Sequence, residues 1–128
     1  MLDILYQDAQ IVVCRKPAGV LSQGEGADAM PALLRAQCGG EVYPVHRLDR
    51  NTSGLVLIAK VPQVQYKLTP RRGEGKLFHR EYLALIEGEL TPPEGLIDAP
   101  IARALPSIIL RKVAPDGQAA RTHYDTVQ

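Results

Sequence analysis

Val45-His46-Arg47-Leu48-Asp49-Arg50-Asn51-Thr52-Ser53-Gly54-Leu55-Val56-Leu57-Ile58-Ala59 joins a polar segment to an apolar one without a break. Leu55 to Ala59 is a short, continuous apolar run containing branched side chains, which predicts a buried strand. His46 to Gly54 is polar and ends in glycine, so it predicts a loop. Val42 to Val45, interrupted by Pro44, is a brief extended segment ahead of that loop. Loops held between rigid strands are where binding and catalytic side chains concentrate. Within this one, Asp49 lies between Arg47 and Arg50. A carboxylate kept ionised by neighbouring guanidinium groups is suited to nucleophilic attack or to accepting a proton. The same residues also fit a surface ion pair combined with a turn. His46 fits a satisfied structural histidine better than an acid/base group.

The flanking sequence reads as short elements separated by Pro and Gly. Leu2 to Tyr6 predicts a first strand, and the β-branched run from Ile11 to Cys14 predicts a buried second one. Lys16-Pro17-Ala18-Gly19 stops it, because Pro17 cannot donate to a ladder and Gly19 permits a turn. Leu21 to Asp28 is a loop whose Gly24-Glu25-Gly26 lacks the third glycine of a dinucleotide fingerprint. A short helix is predicted from Ala29 to Cys38, capped by Asp28, with Pro31 in its first turn and Gly39-Gly40 at its end. Pro62 to Arg72 has helical character, cut short by Pro70. Strands are predicted at Glu81 to Gly88, Leu96 to Ile101, Ile108 to Val113 and Arg121 to Val127, with Pro115-Asp116-Gly117 as a tight turn between the last two. The pattern is α+β: a mostly antiparallel, mixed β-sheet with one or two short helices.

Composition narrows the function classes. At 45% apolar residues, the 128-residue chain can build a packed core. No apolar run is long enough to cross a bilayer, and Met1 to Asp8 has neither the basic start nor the apolar stretch of a signal peptide. A cytoplasmic protein is therefore expected. Cys14 and Cys38 match no zinc spacing and make no disulfide scaffold. The net charge of +1 conceals an uneven distribution. The balance is −2 from Met1 to Leu34, +6 from Arg35 to Arg80 and −3 from Glu81 to Gln128. A polyanion partner fits the middle third, as does an ordinary solvated basic face. With one Phe, five Tyr and no Trp, a base-stacking platform for single strands is not expected.

The run from Val45 to Leu55 is similar to the central motif of the RluA family of pseudouridine synthases. Lys16-Pro17-Ala18-Gly19, directly after a strand, resembles that family's early turn. Arg80-Glu81-Tyr82-Leu83-Ala84-Leu85 resembles the strand that follows its basic loop. Asp98-Ala99-Pro100-Ile101 and Ala120-Arg121-Thr122-His123-Tyr124 resemble later landmarks in the same order. The resemblance spans Leu2 to Val127. It implies a pseudouridine synthase-like fold and an isomerase that converts uridine in structured RNA, ribosomal or transfer, to its C-glycoside isomer. The target nucleotide is flipped out so that its base enters a pocket. Asp49 corresponds to the catalytic aspartate, which promotes cleavage of the N-glycosidic bond by attacking the sugar or by removing a proton from it. The uracil then turns and rejoins through C5. No metal and no organic cofactor is implied.

The resemblance assigns the remaining site residues as well. Tyr82 corresponds to a catalytic-site tyrosine that packs beside the base. Arg47 corresponds to an arginine that fills the space left by the flipped base, with a phosphate or carboxylate contact equally open. Arg50, Thr52 and Ser53 contact phosphate or shape the loop. In the basic segment Lys67 to Arg80, which is nearly free of acid, Arg71, Arg72 and Lys76 suit phosphate contacts that give affinity without sequence choice.

Two departures from the family pattern set further expectations. No separate RNA-binding domain precedes the catalytic part, so the chain resembles the short members. Family members also continue beyond the region matched here, with further strands and a motif whose arginine pairs with the catalytic aspartate. Residues 1–128 are therefore expected to be the N-terminal part of a catalytic domain, incomplete at its C-terminal side and inactive alone. Sheet edges left open are expected to permit self-association. A non-catalytic RNA-binding module with the same fold remains the alternative, and a core fragment with no RNA function is a third reading.

Overall fold

The computed structural model describes residues 1–127 and separates into two units, Met1–Arg80 and Glu81–Gln128, each described by itself. Two helices and antiparallel sheets make it an α+β protein. Among the described residues no helix is long and apolar enough to cross a membrane.

The first unit is built on a four-stranded antiparallel sheet in the order β1-β2-β4-β3. β1 is Asp3–Gln7, β2 Ile11–Lys16, β3 Tyr43–Pro44 and β4 Gly54–Ala59. Asp8 closes the β1–β2 hairpin, its Oδ1 accepting the N–H groups of Gln10 and Ile11 at 2.7 and 2.8 Å. In β2, side chains alternate across the pleat, so Val12, Cys14 and Lys16 share the buried face. Val12 lies opposite Ile58 and Cys14 opposite Val56 in β4. The helix α1, Met30–Cys38, lays Met30 and Leu34 on this face, one turn apart. Leu34 and Ile58 are wholly buried, each worth on the order of 1.5–3 kcal/mol. Gln37 fastens the other end of α1 to Leu2, just ahead of β1, accepting the Leu2 N–H at 2.7 Å and donating to its carbonyl at 2.9 Å. A second helix, α2 (Pro62–Leu68), ends before Pro70 and has no buried residue.

The start of α1 corrects one expectation. Ala29, not Asp28, is the cap residue, and no side-chain cap bond forms. The Met30 N–H donates instead to the Leu21 carbonyl at 2.9 Å, and Pro31 has no N–H to satisfy. Gly39 ends the helix in the left-handed conformation, φ 72°, its N–H returning to the Arg35 carbonyl.

The second unit contains two two-stranded ribbons. β5 (Glu94–Asp98) pairs with β8 (Arg121–Asp125), and β6 (Ile101–Arg103) pairs with β7 (Arg111–Val113). Three expectations need correction here. The predicted strand from Glu81 to Gly88 does not form. An apolar run has strand character, but a strand exists only through a ladder partner, and no described segment pairs with it. The strand predicted at Leu96 to Ile101 begins two residues earlier and breaks at Ala99-Pro100, where Pro100 interrupts donation. Of Ile108 to Val113 only the last three residues are strand, because Ser107 to Leu110 belong to the hairpin connection. The turn at Pro115-Asp116-Gly117 forms as predicted, closed by a 2.9 Å bond from the Gly117 N–H to the Ala114 carbonyl. Ala114 is the one residue of this unit that is buried among the described residues. Leu83, Leu85, Leu105, Ile108 and Ile109 are all mostly exposed.

Candidate active site

The loop that carries Asp49 leaves β3, turns, and re-enters the sheet as β4. Leu48 anchors it from below, buried in the core. The backbone of Leu48 is held on both sides by one buried hydroxyl. Ser22 Oγ donates to the Leu48 carbonyl at 2.6 Å and accepts the Leu48 N–H at 3.0 Å. The next turn closes when the Thr52 N–H donates to the Asp49 carbonyl at 3.0 Å. Gly54 then takes φ 150°, a conformation that favours glycine, and β4 begins.

Lys16 connects this loop to the Lys16-Pro17-Ala18-Gly19 turn. It is wholly buried at the end of β2. Its ammonium donates to the carbonyls of Pro17 at 3.1 Å, Val20 at 2.7 Å and Arg50 at 3.1 Å. The Gly19 N–H donates to the same Arg50 carbonyl at 2.7 Å, and Arg50 Nε returns a bond to the Gly19 carbonyl at 3.2 Å. Burial pushes the Lys16 pKa down from its usual value, while the negative charge of Asp49 pulls it upward. The two turns are thus laced together by one buried ammonium. Asp49 itself is exposed at the surface of this frame.

His46 fixes the entrance to the loop. Its Nε2 accepts the Leu57 N–H at 2.9 Å, so the ring must be neutral at that atom. Burial, then the nearby Arg80 charge, lowers its pKa below the ordinary 6.5. The ring packs edge-on to Phe78, with centroids 5.1 Å apart, and the Arg80 guanidinium lies 4.7 Å from the Phe78 centroid. These contacts hold the ring in place, but it is not the fully satisfied histidine that its sequence setting suggests: Nδ1 is buried with no hydrogen-bond partner among the described residues.

The other predicted site residues fall into three places. Arg47, Arg50 and Ser53 are exposed on the Asp49 loop and Thr52 is half-buried there. Arg71, Arg72 and Lys76 are exposed on the segment after α2. Arg71 donates to Tyr66 Oη at 2.6 Å and lies over that ring at 4.9 Å, while Glu74 accepts its backbone N–H. Lys76 lines a shallow depression with Leu77, Phe78, His79 and Arg80. Tyr82 belongs to the second unit, outside any strand, and is 57% exposed. Two residues central to the frame, Lys16 and Ser22, are absent from the site residues expected from the sequence, where Lys16 is read only as the start of a turn. For Lys16 the signal was there: strand periodicity puts it on the same face as Val12 and Cys14, and a buried ammonium must find acceptors.

Residues 10–128 match the model of the family described as RNA pseudouridylate synthase. The chain is 40% identical to the Uncharacterized RNA pseudouridine synthase YjbO of Bacillus subtilis, over 96% of the chain and 46% of that protein. It is 36% identical to the Ribosomal large subunit pseudouridine synthase D of Nitrosomonas europaea, over 99% of the chain and 39% of that protein. It is 40% identical to the tRNA pseudouridine synthase C of Pasteurella multocida, over 92% of the chain and 49% of that protein. The chain thus spans less than half the length of these curated relatives. Among solved structures, human RNA Pseudouridylate Synthase Domain Containing 4 matches with a TM-score of 0.60 at 19% identity, over 96% of this chain and 52% of that one, a likeness of fold.

Proposed function

The chain belongs to the RNA pseudouridylate synthase family, and from that premise we propose that it supplies the aspartate-bearing part of an enzyme that isomerises uridine to pseudouridine in structured ribosomal or transfer RNA. Asp49 is the catalytic carboxylate in this reading. The observation that carries it is the lacing of the Asp49 loop by Lys16, Gly19 and Ser22. Chemistry at a flipped nucleotide needs a carboxylate held in place before substrate arrives, and the backbone on either side of Asp49 is fixed by buried donors. Asp49 either attacks the sugar carbon or removes a proton from the sugar. In both routes the bond from that carbon to N1 breaks with its electron pair on the uracil. The bond from that carbon to C5 then forms, the C5 proton passes to water and N1 takes up a proton. Asp49 is regenerated by leaving the sugar carbon in the first route and by returning its proton to the sugar in the second.

The remaining site residues take supporting roles in the same reading. Arg47 enters the stack or meets a phosphate, and Tyr82 packs beside the base. Arg50, Thr52, Ser53, Arg71, Arg72 and Lys76 contact RNA phosphates or shape the loop. A cytoplasmic location goes with this substrate.

Because the C5 hydrogen is released, RNA carrying tritium at uracil C5 reports turnover directly. The native gene product containing these residues is expected to release tritium into water, and the isolated 128-residue chain to release little or none. Robust turnover by the isolated chain would overturn the view that it is one part of the catalytic domain. RNA binding by the native product with no tritium release would point to the non-catalytic module instead. The exposed apolar side chains of the second unit further support self-association of the isolated chain. A strictly monomeric mass by light scattering at high concentration contradicts that.

A further inference from the structure

We propose that the β6–β7 hairpin carries a second RNA contact, a phosphate clamp formed by Arg103 and Arg111. The proposal rests on the RNA-substrate reading and adds to it a site in the acidic third of the chain. From Ala99 to Pro115 there is no acidic residue, yet there are Arg103, Arg111 and Lys112. This cationic island lies in a segment whose overall balance is −3.

The register places Arg103 directly opposite Arg111. The backbone bonds fix which kind of pair this is. The Ala104 N–H donates to Leu110 at 2.9 Å and the Ala114 N–H to Pro100 at 3.0 Å. By alternation, Arg103 and Arg111 form a non-hydrogen-bonded pair, where opposed Cα atoms are about 4.5 Å apart and side chains are closest. Both side chains therefore leave the same face, and like charges directly opposite each other weaken a ribbon. Among the described residues no carboxylate pairs with either guanidinium, and the neighbouring acid Asp98 is engaged by Arg121 at 3.1 Å. Arg111 is also oriented: one terminal nitrogen donates to the carbonyls of Ile108, Ile109 and Leu110, each at 3.2 Å. The two arginines line a concavity whose other walls are Ile101, Ala102, Gln118, Ala119 and Ala120, with no acid among them. A phosphodiester seated there would meet two guanidinium groups and relieve their mutual repulsion.

The test uses the 128-residue chain, bulk transfer RNA as probe, and Arg103→Glu. Replacing one of two like charges by its opposite creates a favourable cross-strand pair. The variant is expected to slow amide exchange across Ile101–Val113. It is also expected to weaken RNA binding and to flatten the salt dependence of log K by about one unit of slope or more. Unchanged affinity and slope would overturn the clamp while leaving the RNA reading intact. Faster amide exchange in the variant would also overturn it, because the pair would then not be under repulsion. Failure of the unaltered chain to bind RNA even at low salt would bring down the RNA reading for this chain and the clamp with it.

Discussion

At the scale of single residues, the reach of the sequence differs from one side chain to the next. Asp49 stood out through the resemblance of Val45 to Leu55 to a family motif, since a carboxylate between two arginines in a polar loop by itself also fits a surface ion pair. What holds it was harder to see. Lys16 reads as a charged residue ahead of a proline, and its burial follows only from counting the pleat inward from Val12. Ser22 gave no sign at all, since its partner Leu48 is 26 positions away. Lys16→Met keeps much of the buried volume but removes the donor to three carbonyls, of which Pro17 and Val20 have no other donor named above. A buried acceptor left without a donor costs about 1–3 kcal/mol, and loss of the buried charge offsets part of that. The variant is expected to lower stability by roughly 2–4 kcal/mol. Urea denaturation measures it, and a midpoint equal to the parent's would mean that the lacing is decorative.

At the scale of elements, the first unit was largely legible and the second was not, for one reason. β2 and β4 are marked by short apolar, β-branched runs and α1 by its flanking turn and stop residues, because each packs into a shared core. In the second unit the segment from Glu81 to Gly88 has no ladder partner among the described residues, so its strand character does not become a strand. Turn chemistry survived better than strand extent: Pro115-Asp116-Gly117 needs only its own backbone. Gly117 has a further role that no turn rule supplies. A Cβ there would lie 2.6, 2.7 and 2.8 Å from the backbone C, O and N of Ile101. Gly117→Ala must therefore push β6 away from the turn, at a cost on the order of 1–3 kcal/mol. In a ribbon with so little buried surface, that is expected to collapse the dispersion of the Ile101–Val113 amide resonances. A spectrum indistinguishable from the parent's would refute the close approach.

At the scale of the whole molecule, one unit has a core and a laced site loop, and the other has two paired ribbons and, among the described residues, one buried residue, Ala114. A two-stranded ribbon without a packed face is marginal by itself. That agrees with a chain that spans less than half the length of its curated relatives. The family was legible because its landmarks are short runs of residue identity, which remain readable whether or not the segment forms a strand: Arg121 to Tyr124 lies in β8, whereas Glu81 to Leu85 does not pair. The central claim is that Asp49 performs the chemistry, and the most direct test is pseudouridine formation by the native gene product with Asp49→Asn. The substitution keeps the side-chain shape and leaves the contacts of Lys16 and Ser22 to backbone carbonyls in place. The account predicts folded protein that still binds RNA, with tritium release from C5-labelled RNA reduced roughly 10³-fold or more. Turnover within a few-fold of the parent's would contradict it.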